Sequence, residues 1–335
     1  MAAPLVSVLL PARDAAATLA ASLASVRRQR FADWECVVVD DGSLDETAAV
    51  AQRFAAADPR FVVVPAARAG LVAALNAGLA RCRGAFVARM DADDLMHRDR
   101  LAAQVEALAS SPALAAVAAH VRIFPRGHLA AGWRAYERWV NGIASAADVR
   151  AEAFVECPVV HPTLTFRRAA LATLGYRDAG WPEDYDLVLR ALARNLEIGV
   201  VPRRLHAWRD RPGRLSRTGE AYALPRFTAL KAAFLAERFL AASDRYVLWG
   251  YGGTGRALHR ALALHGKRAT HVVEVHPGRV GNTIHGAPVI GPDALRALPP
   301  APIVVSVARS GPRGLIRAAL ADMGFRELRD FVCAA

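Results

Sequence analysis

Lysine is nearly missing from this chain of 335 residues: only Lys231 and Lys267 occur, so 43 minus 2, or 41, of the basic residues are arginine. Against 31 acidic residues they leave a formal net charge of +12. Guanidinium groups fork onto phosphate and carboxylate oxygens, so phosphorylated substrates or an anionic membrane surface would suit this charge, as would a plain solvated surface. No recognition motif accompanies it, which sets nucleic acid aside. Cysteine is scarce too. Cys36, Cys82, Cys157 and Cys333 lie far apart without C-x-x-C spacing, which speaks against a zinc module and a disulfide framework and fits a reducing cytosol. Long apolar runs are absent, none approaching the roughly 18 to 20 residues of a membrane span. The short run at 5–10 lacks a preceding basic region and is broken by Pro11, Arg13 and Asp14, so it reads as a first strand and not as a signal peptide. The expected location is cytoplasmic, with peripheral attachment at the inner face of an anionic membrane as a further expectation.

What is present is a regular alternation. The length is about twice that of a usual domain, which predicts two domains, and 54% hydrophobic with 22% charged residues is ordinary for a globular protein. An apolar run at 6–10 is followed by Leu19, Leu23 and Val26 at helical spacing, then by a second run at 36–39 ending in Asp40 and Asp41. A third run at 61–64 precedes a stripe of Leu71, Leu75, Gly78, Leu79 and Cys82, and a fourth occupies 85–90. This order predicts an α/β fold with parallel strands covered by helices on both faces. Beyond 110 the pattern loosens into a helix and strand to 124 and an irregular stretch with Trp133, Tyr136 and Trp139. A strand near 163–166, a helix after Asp184, a short strand at 199–201 and a long amphipathic helix at 224–241 follow.

A new β-α-β unit begins at 246. Its loop, Gly250-Tyr251-Gly252-Gly253-Thr254-Gly255, is a G-x-G-x-x-G in the strand-to-helix setting that the motif requires. It predicts a small Rossmann-like domain over 244–335 after a first domain over 1–243. Gly250 and Gly252 would let the backbone turn and approach a ligand, Gly255 would allow close strand-helix packing, and Glu274 stands where an acid can hold a ribose. These four residues form a candidate nucleotide site. No Y-x-x-x-K pair accompanies them, so NAD is not the expected cofactor. The segment 286–295, GAPVIGPDAL, resembles small sugar-nucleotide-binding modules attached to sugar-modifying enzymes.

Two acidic clusters fall at the carboxyl ends of predicted strands, where ligands sit in open α/β sheets: Asp40-Asp41-Gly42-Ser43 and Asp91-Ala92-Asp93-Asp94. Acids at strand ends also cap helices, and Ser43 with Glu46 has the spacing of a capping box. The clusters do not stand alone. The runs VSVLLPARDAAATLAASLASVRRQ, WECVVVDDGSLDET, GLVAALNAGLARCRGAFVARMDADD, HPTLTFRRAAL and WPEDYDLVLRAL follow one another in order over roughly residues 5 to 220. Together they resemble the family 2 glycosyltransferases of the GT-A fold.

That resemblance implies a GT-A nucleotide-sugar-binding domain and transfer of a sugar from a nucleoside-diphosphate donor, UDP-linked in the first instance, with inversion. It implies that Pro11 and Arg13 border the nucleotide in the loop after the first strand. Asp40, with Asp41, would hold the base or ribose, and Asn76 would face the donor from its helix. Asp91 and Asp93 would be the D-x-D pair that holds Mg2+ or Mn2+, and His161 would touch the donor or acceptor. Asp184, with Glu183 beside it, would be the base that takes the acceptor proton, a task a carboxylate can do; as a plain alternative the two acids start a helix. Asp210 stands near the place of a metal-binding histidine in relatives and would supply a metal oxygen there, although it departs from the family pattern. The acceptor, a saccharide, lipid-linked saccharide or protein, is not indicated. Rival readings are a nucleotidyltransferase, against which the sequence has Pro11-Ala12-Arg13-Asp14 in place of a glycine-rich loop and lysine, an NAD-dependent oxidoreductase, and a non-catalytic sugar-nucleotide-binding protein.

Overall fold

The computed structural model describes residues 3–127 and 129–335. The chain folds as two compact units: residues 1–149, 159–179 and 183–214 form the first, and 150–158, 180–182 and 215–335 the second. The division therefore does not fall at a single point near 243. Two internal segments and the helix at 224–234 join the C-terminal unit, for a reason visible in its core.

The first unit is built on an eight-stranded sheet. Its strands are β1 (Val6–Ala12), β2 (Trp34–Asp41), β3 (Phe61–Ala66), β4 (Phe86–Arg89), β5 (Leu95–Met96), β6 (Leu114–Phe124), β7 (Thr165–Arg167) and β8 (Glu197–Arg209). They lie in the order β3-β2-β1-β4-β7-β6-β8-β5. The first four are mutually parallel, as the alternation predicts, whereas β7 is antiparallel to β4 and β6, and β5 is antiparallel to β8. The sheet is thus mixed, not all parallel. β1 and β2 are buried along their whole length, as strands with helices on both faces must be. Helix Ala16–Arg27 contributes Leu19, Leu23 and Val26 to a core shared with Val6, Val8, Leu10, Val38 and Met90.

Several local expectations are corrected. β1 runs through Pro11 and Ala12, so Pro11 is a buried strand residue and not part of a loop. Ser43 and Glu46 form no capping box: Ser43 Oγ accepts from the Asp14 amide, and helix Thr47–Ala57 is begun by Asp45, whose Oδ1 accepts from the Thr47 amide. The strand expected at 199–201 is β8, thirteen residues long. The stretch read as irregular is helix Ala131–Val140. Gly132 and three aromatics make it a poor helix by propensity, but Trp133 and Tyr136 pack edge-on or tilted against Trp208 of β8, and tertiary packing decides.

The second unit holds β9 (Arg245–Trp249), β10 (Arg268–Val273), β11 (Thr283–Ile284), β12 (Ala287–Ile290), β13 (Ile303–Val305) and β14 (Phe331–Cys333), ordered β11-β12-β10-β9-β13-β14. All pairs are parallel except β11 with β12. Its core joins Ala232, Leu235 and Leu240 to Tyr246, Leu248, Leu258, Leu262, Val304 and Val332. The residues just before 243 are therefore core residues of this unit. Segment 150–158 is tied in by polar contacts: Glu152 accepts from Arg317 at 2.5 Å and Arg313 at 3.4 Å, and Lys231 bridges the carbonyls of Val155 and Ala334.

Candidate active site

In the sheet order the chain moves outward from β1 to β2 and β3, then returns to place β4 on the other side of β1. A crevice opens beyond the carboxyl ends of the strands at such a reversal. β4 ends at Arg89, Met90 is tied to β1 by its amide on the Leu9 carbonyl, and the next four residues bring three aspartates to that end of the sheet. Ser22, on the helix after β1, donates to the Asp91 carbonyl at 3.0 Å and fixes the turn. Carboxylate oxygens of Asp91, Asp93 and Asp94 lie within 4.8 Å of one another.

Three acids this close need compensation, and each has a different one. Asp91 Oδ1 accepts from the buried Arg89 at 2.7 Å. Burial pushes the Asp91 carboxyl up, but Arg89, with Arg214, outweighs it and holds the group below the ordinary range. Asp93 Oδ2 accepts from Arg211 at 2.8 Å, near solvent. Asp94 is fully buried, with Oδ1 on the Arg209 amide at 2.7 Å and Oδ2 on His206 Nε2 at 2.8 Å. Burial, followed by the charges of Asp91 and Asp93, drives its carboxyl well above the usual range. Both Asp94 oxygens are thus engaged by protein, whereas Asp91 Oδ2 and Asp93 Oδ1 make no hydrogen bond among the described residues.

Behind Asp94 runs a buried polar chain. His206 Nδ1 faces the guanidinium of Arg100 at 3.2 Å; Arg100 donates to Gln104 Oε1 and the Arg89 carbonyl, and Gln104 donates to the Thr163 and Val117 carbonyls. Arg100 is fully buried without a carboxylate in contact, and desolvation lowers its pKa to about 9. This chain locks the aspartate turn to helix Arg100–Ser110 and β8. His206 and Arg100 escaped the sequence reading. The signal is faint: the apolar run at 199–201 stops short of His206, and Pro202 with Arg203 and Arg204 hides the continuation of the strand.

The predicted acceptor-side residues gather nearby. Glu183 and Asp184 open helix Glu183–Ala193. Glu183 is buried, with Oε1 3.9 Å from His161 Nδ1, and Asp184 Oδ1 accepts from the Tyr185 amide at 2.7 Å. Asp186, the third acid of the run, is fully buried between Arg177 and Arg190 and holds the helix to its neighbours. His161 Nε2 lies 3.2 Å from the Tyr176 hydroxyl, and burial, aided by Arg89, lowers its pKa to about 3, so the ring is neutral.

Other predicted residues have structural work. Asp41 accepts from the Ala69 and Gly70 amides and from Arg13, closing the loop that enters helix Leu71–Arg81. Asp40 Oδ1 accepts from the Ser43 amide at 3.3 Å. Both ends of the Asn76 amide are engaged by the Tyr176 backbone, at 2.8 and 3.0 Å. Asp210 is not in the carboxylate cluster; Asp94 is its third member. In the second unit Gly250 has φ +94°, and a Cβ on Gly255 would sit 2.2 Å from the Gly250 carbonyl oxygen, so both glycines are demanded by the turn itself. Glu274 Oε1 accepts from the Tyr251 amide at 2.8 Å and from Arg279 at 3.3 Å.

Known proteins resemble this chain in sequence and in fold. Residues 7–175 match the family described as Glycosyl transferase family 2. The amylovoran biosynthesis glycosyltransferase AmsE of Erwinia amylovora is 32% identical over 182 residues, 54% of this chain and 66% of that protein. An uncharacterised protein, y4gI of Sinorhizobium fredii, is 28% identical over 224 residues, 65% of this chain but 24% of its own length, so the chain spans only part of the relatives it matches. In fold, S. aureus TarS in complex with UDP-GlcNAc superposes with a TM-score of 0.56 at 18% identity, covering 78% of this chain and 72% of that one. No helix among the described residues is long and apolar enough to cross a membrane.

Proposed function

The chain belongs to glycosyl transferase family 2, and on that premise we propose that it moves a sugar from a nucleoside-diphosphate donor onto an acceptor hydroxyl, with inversion at the anomeric carbon. The observation that carries this reading is the convergence of Asp91, Asp93 and Asp94 beyond the end of β4. An all-carboxylate set suits Mg2+ or Mn2+, which bond one or two carboxylates and complete their shell with water and substrate phosphate. Asp91 and Asp93, each with an oxygen not hydrogen-bonded among the described residues, would hold the cation, while Asp94 is kept by His206 and the Arg209 amide as the anchor of the turn. When bound, the cation offsets the charge that develops on the leaving diphosphate.

This chain's own residues supply the remainder. Arg211, paired with Asp93 and near solvent, is placed to fork onto donor phosphate oxygens. Asp184 takes the proton of the attacking hydroxyl, with the buried Glu183 beside it in the chain and 3.9 Å from the neutral His161. Names of relatives in amylovoran and O-antigen biosynthesis support a cell-surface polysaccharide or lipid-linked saccharide as acceptor, and uridine is the base to test first. We read the second unit as a Rossmann-like regulatory domain without NAD chemistry, on the support of its parallel strands and the Gly250–Gly255 turn. Four buried free cysteines fit a reducing compartment.

The test is Asp93→Ala. Release of nucleoside diphosphate from UDP-sugars should stop, and metal-dependent donor binding measured by calorimetry should vanish, while circular dichroism stays native because Asp93 lies at the edge of the core. Near-normal turnover of the variant with Mn2+ present would remove the metal assignment.

A further inference from the structure

β8 is not a regular strand. Opposite β6 its register jumps from Ala119↔Val201 to His120↔Arg204 and then to Val121↔His206, so Pro202, Arg203 and Leu205 have no partner of their own. Bulged strands bend and re-aim their side chains, and a proline cannot donate to the ladder, so the irregularity is fixed by sequence. The Asn141 side chain fills the interrupted ladder, bonding the Val121 carbonyl at 2.8 Å and its amide at 2.9 Å. Between these parts lies a cleft of about 480 Å³, walled by Leu205, Pro202, Arg203, Arg204, His97 and His120. That is the size of a small-molecule site.

Its chemistry is one-sided. Arg203 and Arg204 are exposed, and the Arg204 side chain makes no hydrogen bond or ion pair among the described residues. His97 Nδ1 accepts from the Asp99 amide at 3.3 Å, so the neutral ring carries its proton on Nε2 and is a further donor. His120 donates Nε2–H to the Ile143 carbonyl and Asn141 is engaged with Val121, and neither brings a negative charge. The acid Asp99, outside the wall, bonds Arg30 at 2.9 Å and stands 3.7 Å from both Arg203 and His97. Two arginines and a histidine in the lining of a cleft without a carboxylate in its wall match a phosphate group.

We propose that this bulge-made cleft is a phosphate subsite for a molecule other than the sugar donor. It is separate from the aspartate cluster: Asp94 and His97 are three residues apart on either side of β5, about 10 Å at the rise of a strand. A phosphate held here needs no divalent cation, whereas the donor site does, and the two are told apart by chelation.

The experiment is calorimetric titration of the full chain with inorganic pyrophosphate in EDTA. Wild type and Asp93→Ala should bind alike, and the double variant Arg203→Gln/Arg204→Gln should bind roughly tenfold or more weakly, the loss expected for charge-assisted hydrogen bonds. Both arginines are exposed, so the variant keeps the fold, and donor hydrolysis with metal should be unchanged. Arg53→Gln, on an exposed face of helix Thr47–Ala57, controls for bulk charge. Co-sedimentation with phosphatidylglycerol vesicles that the double variant loses would assign the phosphate to a lipid headgroup; pyrophosphate binding without co-sedimentation would assign it to a soluble ligand. No binding by wild type in EDTA, undiminished binding by the double variant, or an equal loss in Arg53→Gln would overturn the proposal.

Discussion

Asp184 and Asp186 stand two residues apart on one helix, and their surroundings give them opposite duties. Asp186 is closed in by Arg177 and Arg190, and no substrate can reach it. Asp184 is only partly buried and has one carboxylate oxygen on the neighbouring Tyr185 amide. Asparagine preserves that acceptor and removes the base, so Asp184→Asn should lower turnover by roughly a hundredfold to ten-thousandfold with donor affinity nearly intact. Equal losses in donor affinity and turnover would mark a helix start instead. Nothing in the run of acids told which was structural, because the arginines that claim Asp186 lie nine residues before and four residues after it. His161 adds a pH dependence. Its folded pKa, about 3 from burial and then Arg89, is below the ordinary 6.5, so the unfolded chain binds the extra proton as pH falls through 6.5. Stability from this group is full above 6.5 and is lost toward pH 3. Between pH 7 and 5 it should account for about 2 kcal/mol, at about 1.4 kcal/mol per pKa unit. Urea midpoints of wild type should therefore fall more over that interval than those of His161→Gln; equal falls would place the acid sensitivity elsewhere.

Elements were legible where one periodicity ran uninterrupted. The first four strands and the helices between them follow the alternating pattern, and the aspartate turn could be placed at a strand end for that reason. β8 was not legible, since Pro202 and the Arg203-Arg204 pair break its apolar pattern at the bulge; with it His206, the partner of Asp94, stayed hidden. Helix Ala131–Val140 was missed because only tertiary packing on Trp208 makes it. Glycines show the same contrast between pattern and packing. Gly78 lies in the predicted helical stripe, and a Cβ there would meet Leu9 Cδ1 at 2.3 Å and Val39 Cγ2 at 2.6 Å, both on fully buried side chains. Gly78→Ala gains up to ~1 kcal/mol of helix propensity and loses ~1–3 kcal/mol to overpacking, so the net effect should be destabilising. Gly252, in the better-known motif, has nothing within 4 Å of such a Cβ, and Gly252→Ala should leave the unfolding midpoint unchanged. A neutral Gly78→Ala would mean the helix can shift outward on β1 and β2.

At the scale of the whole chain, the cut that the sequence suggests is not the cut that the packing allows. A fragment ending at 243 keeps the whole family-matched region, 7–175, and every residue assigned to the aspartate cluster. It also keeps Leu230, Ala232, Leu235 and Leu240, which are buried in the second unit, and discards the strands β9, β13 and β14 that cover three of them. Exposing Leu235 and Leu240 at ~1.5–3 kcal/mol each, with Ala232, removes several kcal/mol, and it also leaves Glu152 without Arg313 and Arg317. The fragment should accordingly express as aggregate or bind a hydrophobic dye strongly, and any loss of donor hydrolysis should track that loss of structure. The matching control keeps the chain whole and replaces Leu258, in the core of the second unit, by alanine. That change should cost ~2–5 kcal/mol locally, yet donor hydrolysis below the melting temperature should persist, because the aspartates, His206 and Asp184 all belong to the first unit. A fragment 1–243 that is soluble, dye-silent and fully active would show that residues 215–243 hold no core in common with the C-terminal strands. A Leu258→Ala chain that stays folded but loses hydrolysis would show instead that the second unit takes part in the chemistry.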